Sequence, residues 1–363
     1  MAASPFRLAV ALLTLACGQA QDAAAGGRLT LTFDTRAAAD VVQLLRAGSA
    51  SPSQIGRIAA TPAGRELIEQ TARFDASATA AEFGSSLAMA ANGRLPPGAS
   101  DPFGFGRIRQ HTTQIARLCE RLTTGAPALQ REVAARLQPD LPGDLALNAQ
   151  VVFVLGGSAA GWVQPGNRLY IALQYFDEDY DGLIALLTHE LYHLVQYRVM
   201  PATASAASDP RQRNAENLMI ATMMEGTAAL VGNPVRADDG GPYLERIQDD
   251  FALFDTLMFR AVHDGAASYQ ELHSLGFSGS WGSPLYVVGY RMAQVLGRYA
   301  GRPRLAAYLR QPAANFFADY IVTCDLHRSD SGCVRFDAQT THALLQMKDQ
   351  ATAGADRPRL PLL

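Results

Sequence analysis

Lysine is almost missing from this chain of 363 residues: Lys348 is the only one, and every other basic residue apart from histidine is an arginine. No arginine cluster accompanies that bias and the net charge is −3, so the chain has no electrostatic footprint for nucleic acid. Cysteine is scarce too. There are four, with no CxxC pair, which excludes a cysteine-based metal site. No apolar run is long enough to span a bilayer as a permanent helix. At 18% charged and 48% apolar, the composition excludes a disordered chain, and the length suffices for one large domain or two modest ones.

The first residues read as a targeting segment. In MAASPFRLAVALLTLACGQAQDAAAGG a single positive charge, Arg7, precedes an apolar run from Leu8 to Ala16, and small residues follow at Gly18 and Ala20. That pattern is a signal peptide over residues 1–20, so the protein is expected to be exported, to the periplasm or beyond. Cys17 ends the apolar run and is followed by glycine, as in a lipoprotein signal, although Thr14 stands where leucine is usual. Plain cleavage and a lipid anchor at Cys17 both remain open. Cys324 and Cys333 bracket the polar stretch CDLHRSDSGC, a spacing that in an exported protein suggests a disulfide closing a short loop. Cys119 falls on an apolar helix face and is expected to be a buried free thiol.

Residues 21–146 form an N-terminal, mostly helical region after the strand-like alternation RLTLTFDT, with Gly, Pro and Ser marking each helix junction. Texture changes at Leu147. NAQVVFVLGGSAAGWV and NRLYIALQYF read as two strands joined by a turn at Pro165 and Gly166. Residues 147–345 make a second region and 346–363 a C-terminal tail. The expected fold class is α+β, mainly α-helical, with a small β-sheet beside the helix that starts after Asp179.

That helix, DYDGLIALLTHELYHLVQYRVMP, is apolar throughout except where it carries His189, Glu190 and His193. Residues four apart share a helix face, so the two imidazoles can address one ion. Glu190 is turned by about 100°, which puts it beside the metal and within reach of a water. This is the H-E-x-x-H arrangement of zinc hydrolases. A catalytic zinc needs a third protein ligand and an open position. Position 199 is Val, so no histidine follows six residues later. Glu225, 32 positions beyond His193 in LMIATMMEGTAAL, is the candidate, because a carboxylate in an apolar run needs a cation or donors to neutralise it. Gly226 beside it permits close approach of another backbone. Glu216, nearer the polar start of the same helix, fits a solvated turn better. The acidic loop YFDEDYDG lacks EF-hand spacing and is read as capping the metal helix.

LLTHELYH followed by EGTAAL resembles the gluzincin-type zinc metallopeptidases, and more closely a group of exported bacterial zinc-dependent peptidases. The resemblance runs from about Val151 to Ala300 and includes RLYIAL and LYVVGYRMA. It implies a zincin-like core with one Zn2+ held by His189, His193 and Glu225, Glu190 as general base, and a peptide or protein substrate. It also implies that NRLYIAL is the edge strand that binds substrate backbone. A tyrosine or histidine for the oxyanion is implied as well, with Tyr290 the first choice by position and Tyr286 and His273 behind it. The family's acidic residue four positions after the third ligand is replaced here by Ala229, so the partners that orient the histidines are unassigned.

Two other functions stay in view: a zinc-containing envelope binding or scaffold protein without catalysis, and a zinc hydrolase of a non-peptide amide. The bland alternative is a pair of core histidines bonded to carbonyls, with Glu190 on an exposed edge. It leaves Glu225 unexplained.

Overall fold

The alternation of RLTLTFD becomes strand β1 (Arg28–Asp34). The computed structural model describes residues 28–96, 98–201, 204–232, 246–277 and 282–355, so the expected signal peptide and Cys17 lie outside the described residues. Seven helices follow β1: α1 (Arg36–Ala47), α2 (Pro52–Ala60), α3 (Pro62–Ala72), α4 (Ala80–Ala91), α5 (Phe105–Gln110), α6 (Thr112–Thr124) and α7 (Ala126–Leu137). Their punctuation is local chemistry. Ser51 and Gln54 close a capping box before α2, and the Thr61 hydroxyl accepts from Gly64 N–H to start α3, each with proline at the first helical position.

Strands β2 (Ala146–Val154), β3 (Gly161–Gln164) and β4 (Arg168–Ala172) come next, followed by α8 (Tyr180–Val199). The remaining elements among the described residues are helices: α9 (Pro210–Gly232), α10 (Ile247–His263), α11 (Tyr269–Gly276), α12 (Pro284–Ala300), α13 (Arg302–Tyr308), α14 (Ala313–Leu326) and α15 (Ala338–Ala355). The chain is thus mainly α-helical, of the α+β class, with one small mixed sheet. Among the described residues no helix is long and apolar enough to cross a membrane.

The sheet corrects two sequence expectations. NAQVVFVLGGSAAGWV is not one strand: Gly156 and Gly157 take φ of 118° and 78°, the chain turns there, and GWVQ returns as β3. The strand order is β1-β2-β4-β3, with β1, β2 and β4 parallel and β3 antiparallel to β4. NRLYIAL is therefore not an edge. Leu169–Ala172 are buried without alternation, as a strand covered on both faces requires, and the edge beside α8 is β3. The β3–β4 hairpin is made by Pro165, Gly166 and Asn167, the last two left-handed (φ 85° and 59°).

Among the described residues the buried apolar side chains form two hydrophobic clusters. One joins the sheet to α1–α8, and the other joins α9–α15. Helix α9 belongs to both, since Ala228 and Val231 face the first cluster while Ala215, Leu218, Met219, Met223 and Leu230 face the second. Across the seam, the wholly buried Asp140 accepts two hydrogen bonds from Arg302 at the start of α13, through Nε and Nη2. Cys119 is a buried free thiol, pushed up to about 11 by burial. The expected bridge is not formed. Cys324, inside the last turn of α14, and Cys333 are free thiols whose side chains are in hydrogen-bonding contact.

Candidate metal centre

Helix α8 is the axis of the site. Asp179 caps it by accepting from Gly182 N–H at 2.9 Å, as the acidic loop was expected to do. Burial then runs almost all round the helix, from Leu183 to Gln196, which marks it as central and not a surface helix. Helix α9 packs along it. A Cβ at Gly232 would stand 2.7 Å from the Ala185 carbonyl and 3.0 Å from His189 Cβ, so only glycine permits this approach.

The packing delivers Glu225 to the histidine pair. The His189 and His193 Nε2 atoms are 3.0 Å apart, and Glu225 Oε2 lies 3.4 and 3.2 Å from them. A tetrahedral zinc with ligands at 2.0–2.1 Å has ligand-to-ligand edges of roughly 3.3–3.4 Å. The three donors are thus spaced to hold one such ion, and two imidazoles with a carboxylate are a donor set that suits zinc. Glu225 keeps 24% of its side-chain surface exposed against 4% for His189, while the Oε2 atom that faces the imidazoles is itself buried.

The electrostatics favour a cation there. Burial alone would lower the His193 imidazole, but the Glu225 charge and hydrogen bond, with the Glu190 charge and Gln196, raise it to about 9. Burial would raise the Glu225 carboxyl, yet the His193 charge and the hydrogen bonds from both imidazoles hold it well below the usual carboxylate range. Glu190 is pushed up by burial. The two imidazoles pull it back and Glu225 adds to the rise. A pocket with two carboxylates and two imidazoles demands positive charge, which a divalent ion supplies.

Glu190 lies across the edge strand. A Cβ on Gly161, the first residue of β3, would meet Glu190 Cγ at 2.9 Å and its Oε1 at 3.0 Å. On the other side stands Tyr286 of α12, hydrogen-bonded to Glu225, with its ring stacked 6.1 Å from that of His189. Burial, with the Glu225 and Glu190 charges adding, raises its phenol far above the ordinary value. Tyr286 is brought there by a contact between glycines. A Cβ at Gly226 would sit 2.3 Å from Gly289 Cα, and α9 and α12 cross backbone to backbone. The expectation that Gly226 admits another backbone is met by α12. Tyr290 places its backbone nitrogen against the same Gly226, and His273 packs on Phe277, which in turn meets Tyr286.

Sequence reasoning missed Gln196, whose Oε1 is 2.7 Å from His193 Nδ1. Its signal was present, three positions after His193 on the same buried helix. Gly161 was missed because its strand is only four residues long. The other histidines stand apart from the triangle: His111 pairs with Asp177, His263 contacts Gln339, and His327 stacks on Tyr299.

Residues 56–329 match the model of a family described as "Putative zinc dependent peptidase (DUF5700)", and the chain belongs to that family. No curated protein and no solved structure matches it.

Proposed function

We propose that this member of the family is a working zinc peptidase in which His189, His193 and Glu225 hold the metal and Glu190 moves the proton. The observation that carries the reading is the arrival of Glu225, from a separate helix, at 3.2–3.4 Å from both imidazole nitrogens. A core histidine pair bonded to carbonyls has no use for that carboxylate.

Zinc, when bound, supplies a Lewis acid and lowers the pKa of water near it. The chain's own groups do the rest. Glu190, made more basic than an exposed carboxylate by its burial, accepts a proton as the water oxygen bonds to the scissile carbonyl carbon. It gives that proton to the amide nitrogen as the C–N bond breaks, and the amine leaves neutral. Tyr286 keeps its proton over the whole working pH range, so it can donate to the oxygen of the tetrahedral intermediate. Its contacts with Glu225 and His189 favour it over Tyr290 for this role. Strand β3, the edge beside Glu190, takes the place that the resemblance gave to NRLYIAL as the rail for an extended peptide.

The test is incubation of the purified chain with a diverse peptide library, with and without chelator, read by mass spectrometry, beside zinc analysis of His193→Ala and Glu225→Ala. Chelator-sensitive cleavage and zinc loss in both variants are expected. Zinc undiminished in either variant refutes the ligand set, and zinc without cleavage of any peptide favours a scaffold or a non-peptide substrate. Export is proposed from residues 1–20 alone. The mass of the mature N-terminus tests it, and a diacylglyceryl adduct there would show the anchor at Cys17.

A further inference from the structure

Gln196 is wholly buried, and its hydrogen bonds fix which way its amide points. The Met224 carbonyl lies 2.8 Å from Nε2, and a carbonyl can only accept, so the NH2 group must face it. Thr227 Oγ1 lies 2.9 Å from the same nitrogen and spends its own proton on the Met223 carbonyl at 2.7 Å, so it too accepts. Oε1 is thereby turned to His193 Nδ1 at 2.7 Å, and that nitrogen must carry the proton. In the neutral ring that a metal requires, the His193 Nε2 lone pair is then the one that faces His189 and Glu225. The same amide grips the carbonyl of Met224, the residue that precedes Glu225.

We propose that Gln196 is a positioning residue that sets zinc affinity through the His193 tautomer, its bonds to Met224 and Thr227 serving to hold the amide in the orientation that does so. This rests on the zinc reading above. The residue occupies, from the metal helix itself, the supporting role that Ala229 cannot fill.

The test uses the full chain and zinc alone, with affinity measured by competition against a chromophoric chelator and folding followed by thermal melting of the metal-free protein. Gln196→Met keeps the volume without acceptor or donor, and zinc affinity should fall by about 10–100-fold. Gln196→Glu keeps an acceptor on Nδ1 and should stay within several-fold of wild type, even though it loses the donors to α9 and melts earlier. Thr227→Val removes one anchor of the amide and should weaken binding by a smaller factor than Met. Wild-type affinity in a folded Gln196→Met overturns the proposal. So does a Gln196→Glu loss as large as that of Met, which would make Gln196 only a brace between helices. Should Gln196→Met fail to fold, the Glu and Val variants decide: retention by Glu with weakening by Val supports the proposal, and any other pairing overturns it. A wild-type chain that takes up no zinc sinks the zinc reading and this one together. Uptake by wild type with an unaffected Gln196→Met sinks only the role of Gln196.

Discussion

On the proposed mechanism, Gly161→Ala should separate proton transfer from metal binding. The added methyl would sit 2.9 Å from Glu190 Cγ, 3.0 Å from Oε1 and 3.1 Å from Cδ, where ordinary contact is 3.4–4 Å. One partner must withdraw by about 0.5–1 Å to restore ordinary packing. Strand β3 is the stiffer side. It is paired to β4 along its length, Trp162 stacks on Tyr170 at 5.1 Å, and the Trp162 and Gln164 side chains both donate to Glu66. The Glu190 carboxyl, at the end of a rotatable side chain, gives way. Misplacing a reacting group by that distance lowers turnover by roughly 10–100-fold, or about 1.4–2.8 kcal/mol in activation free energy. None of the three donor residues is touched, so zinc content and KM should stay within about three-fold. The assay is kcat and KM on a peptide that the wild type cleaves, with zinc measured on the same samples. Gly161→Ala combined with Glu190→Gln should be no slower than Glu190→Gln alone, since both act on one group. Unchanged turnover, or zinc lost in step with activity, would refute the reasoning.

Tyr286→Phe should lower kcat by about 100-fold or more while retaining zinc, whereas Tyr290→Phe should stay within a few-fold; the opposite ranking returns the oxyanion role to Tyr290. Arg302→Met strands the Asp140 carboxylate in the core and should lower stability by about 3 kcal/mol in urea melts. That is the low end of the range for breaking a buried pair, because Arg302 keeps about a third of its side-chain surface in water, and a loss under about 1 kcal/mol would sink the argument. Asp250, buried at the first turn of α10, has its carboxyl pushed up to about 6, chiefly by burial, with Asp249 adding and Arg246 opposing. Its contribution to stability is full below the ordinary value of 3.8 and is lost as pH rises through 6, so Asp250→Asn should melt higher than wild type above pH 7 and almost equally near pH 4; a difference independent of pH is the refuting result.

How much of the site could be read from sequence depends on how local each feature is. His189, Glu190 and His193 lie within five residues, and helical spacing alone puts the two imidazoles together. Glu225 was legible for a different reason: a lone acid in an apolar run has to be neutralised by something. The rest depends on which turn of one helix meets which turn of another. Tyr286 and Tyr290 are four residues apart on α12, and spacing cannot rank them. The contact between Gly226 and Gly289 decides, and it stands Tyr286 against Glu225. The identity of the edge strand was hidden in the same way. RLYIA and GWVQ are both short, and the unbroken apolar run in the first is the sign of a central strand, whereas the family resemblance implied an edge. Cys324 and Cys333 show the limit of reasoning from sequence distance alone, since the spacing brought the thiols together without closing a bridge.

The donor triangle also lies at the seam between the two hydrophobic clusters. His189 and His193 stand on α8, whose apolar residues belong to the first. Glu225 stands on α9, which is shared, and Tyr286 on α12, whose core side faces the second. Nothing covalent joins these helices at the site. Their registration comes from backbone contacts at Gly232 and Gly226, from the Gln196 amide, and at a distance from Asp140 with Arg302. An ion bound by the triangle would add a bond from each side of the seam, so it should stabilise the packing of α8 on α9 more than either cluster alone. The same reasoning explains why both helix crossings use glycine. A methyl at Gly226 would push α9 and α12 apart by more than an ångström, and one at Gly232 would part α8 and α9 by about 0.5–1 Å, more than zinc–ligand distances tolerate.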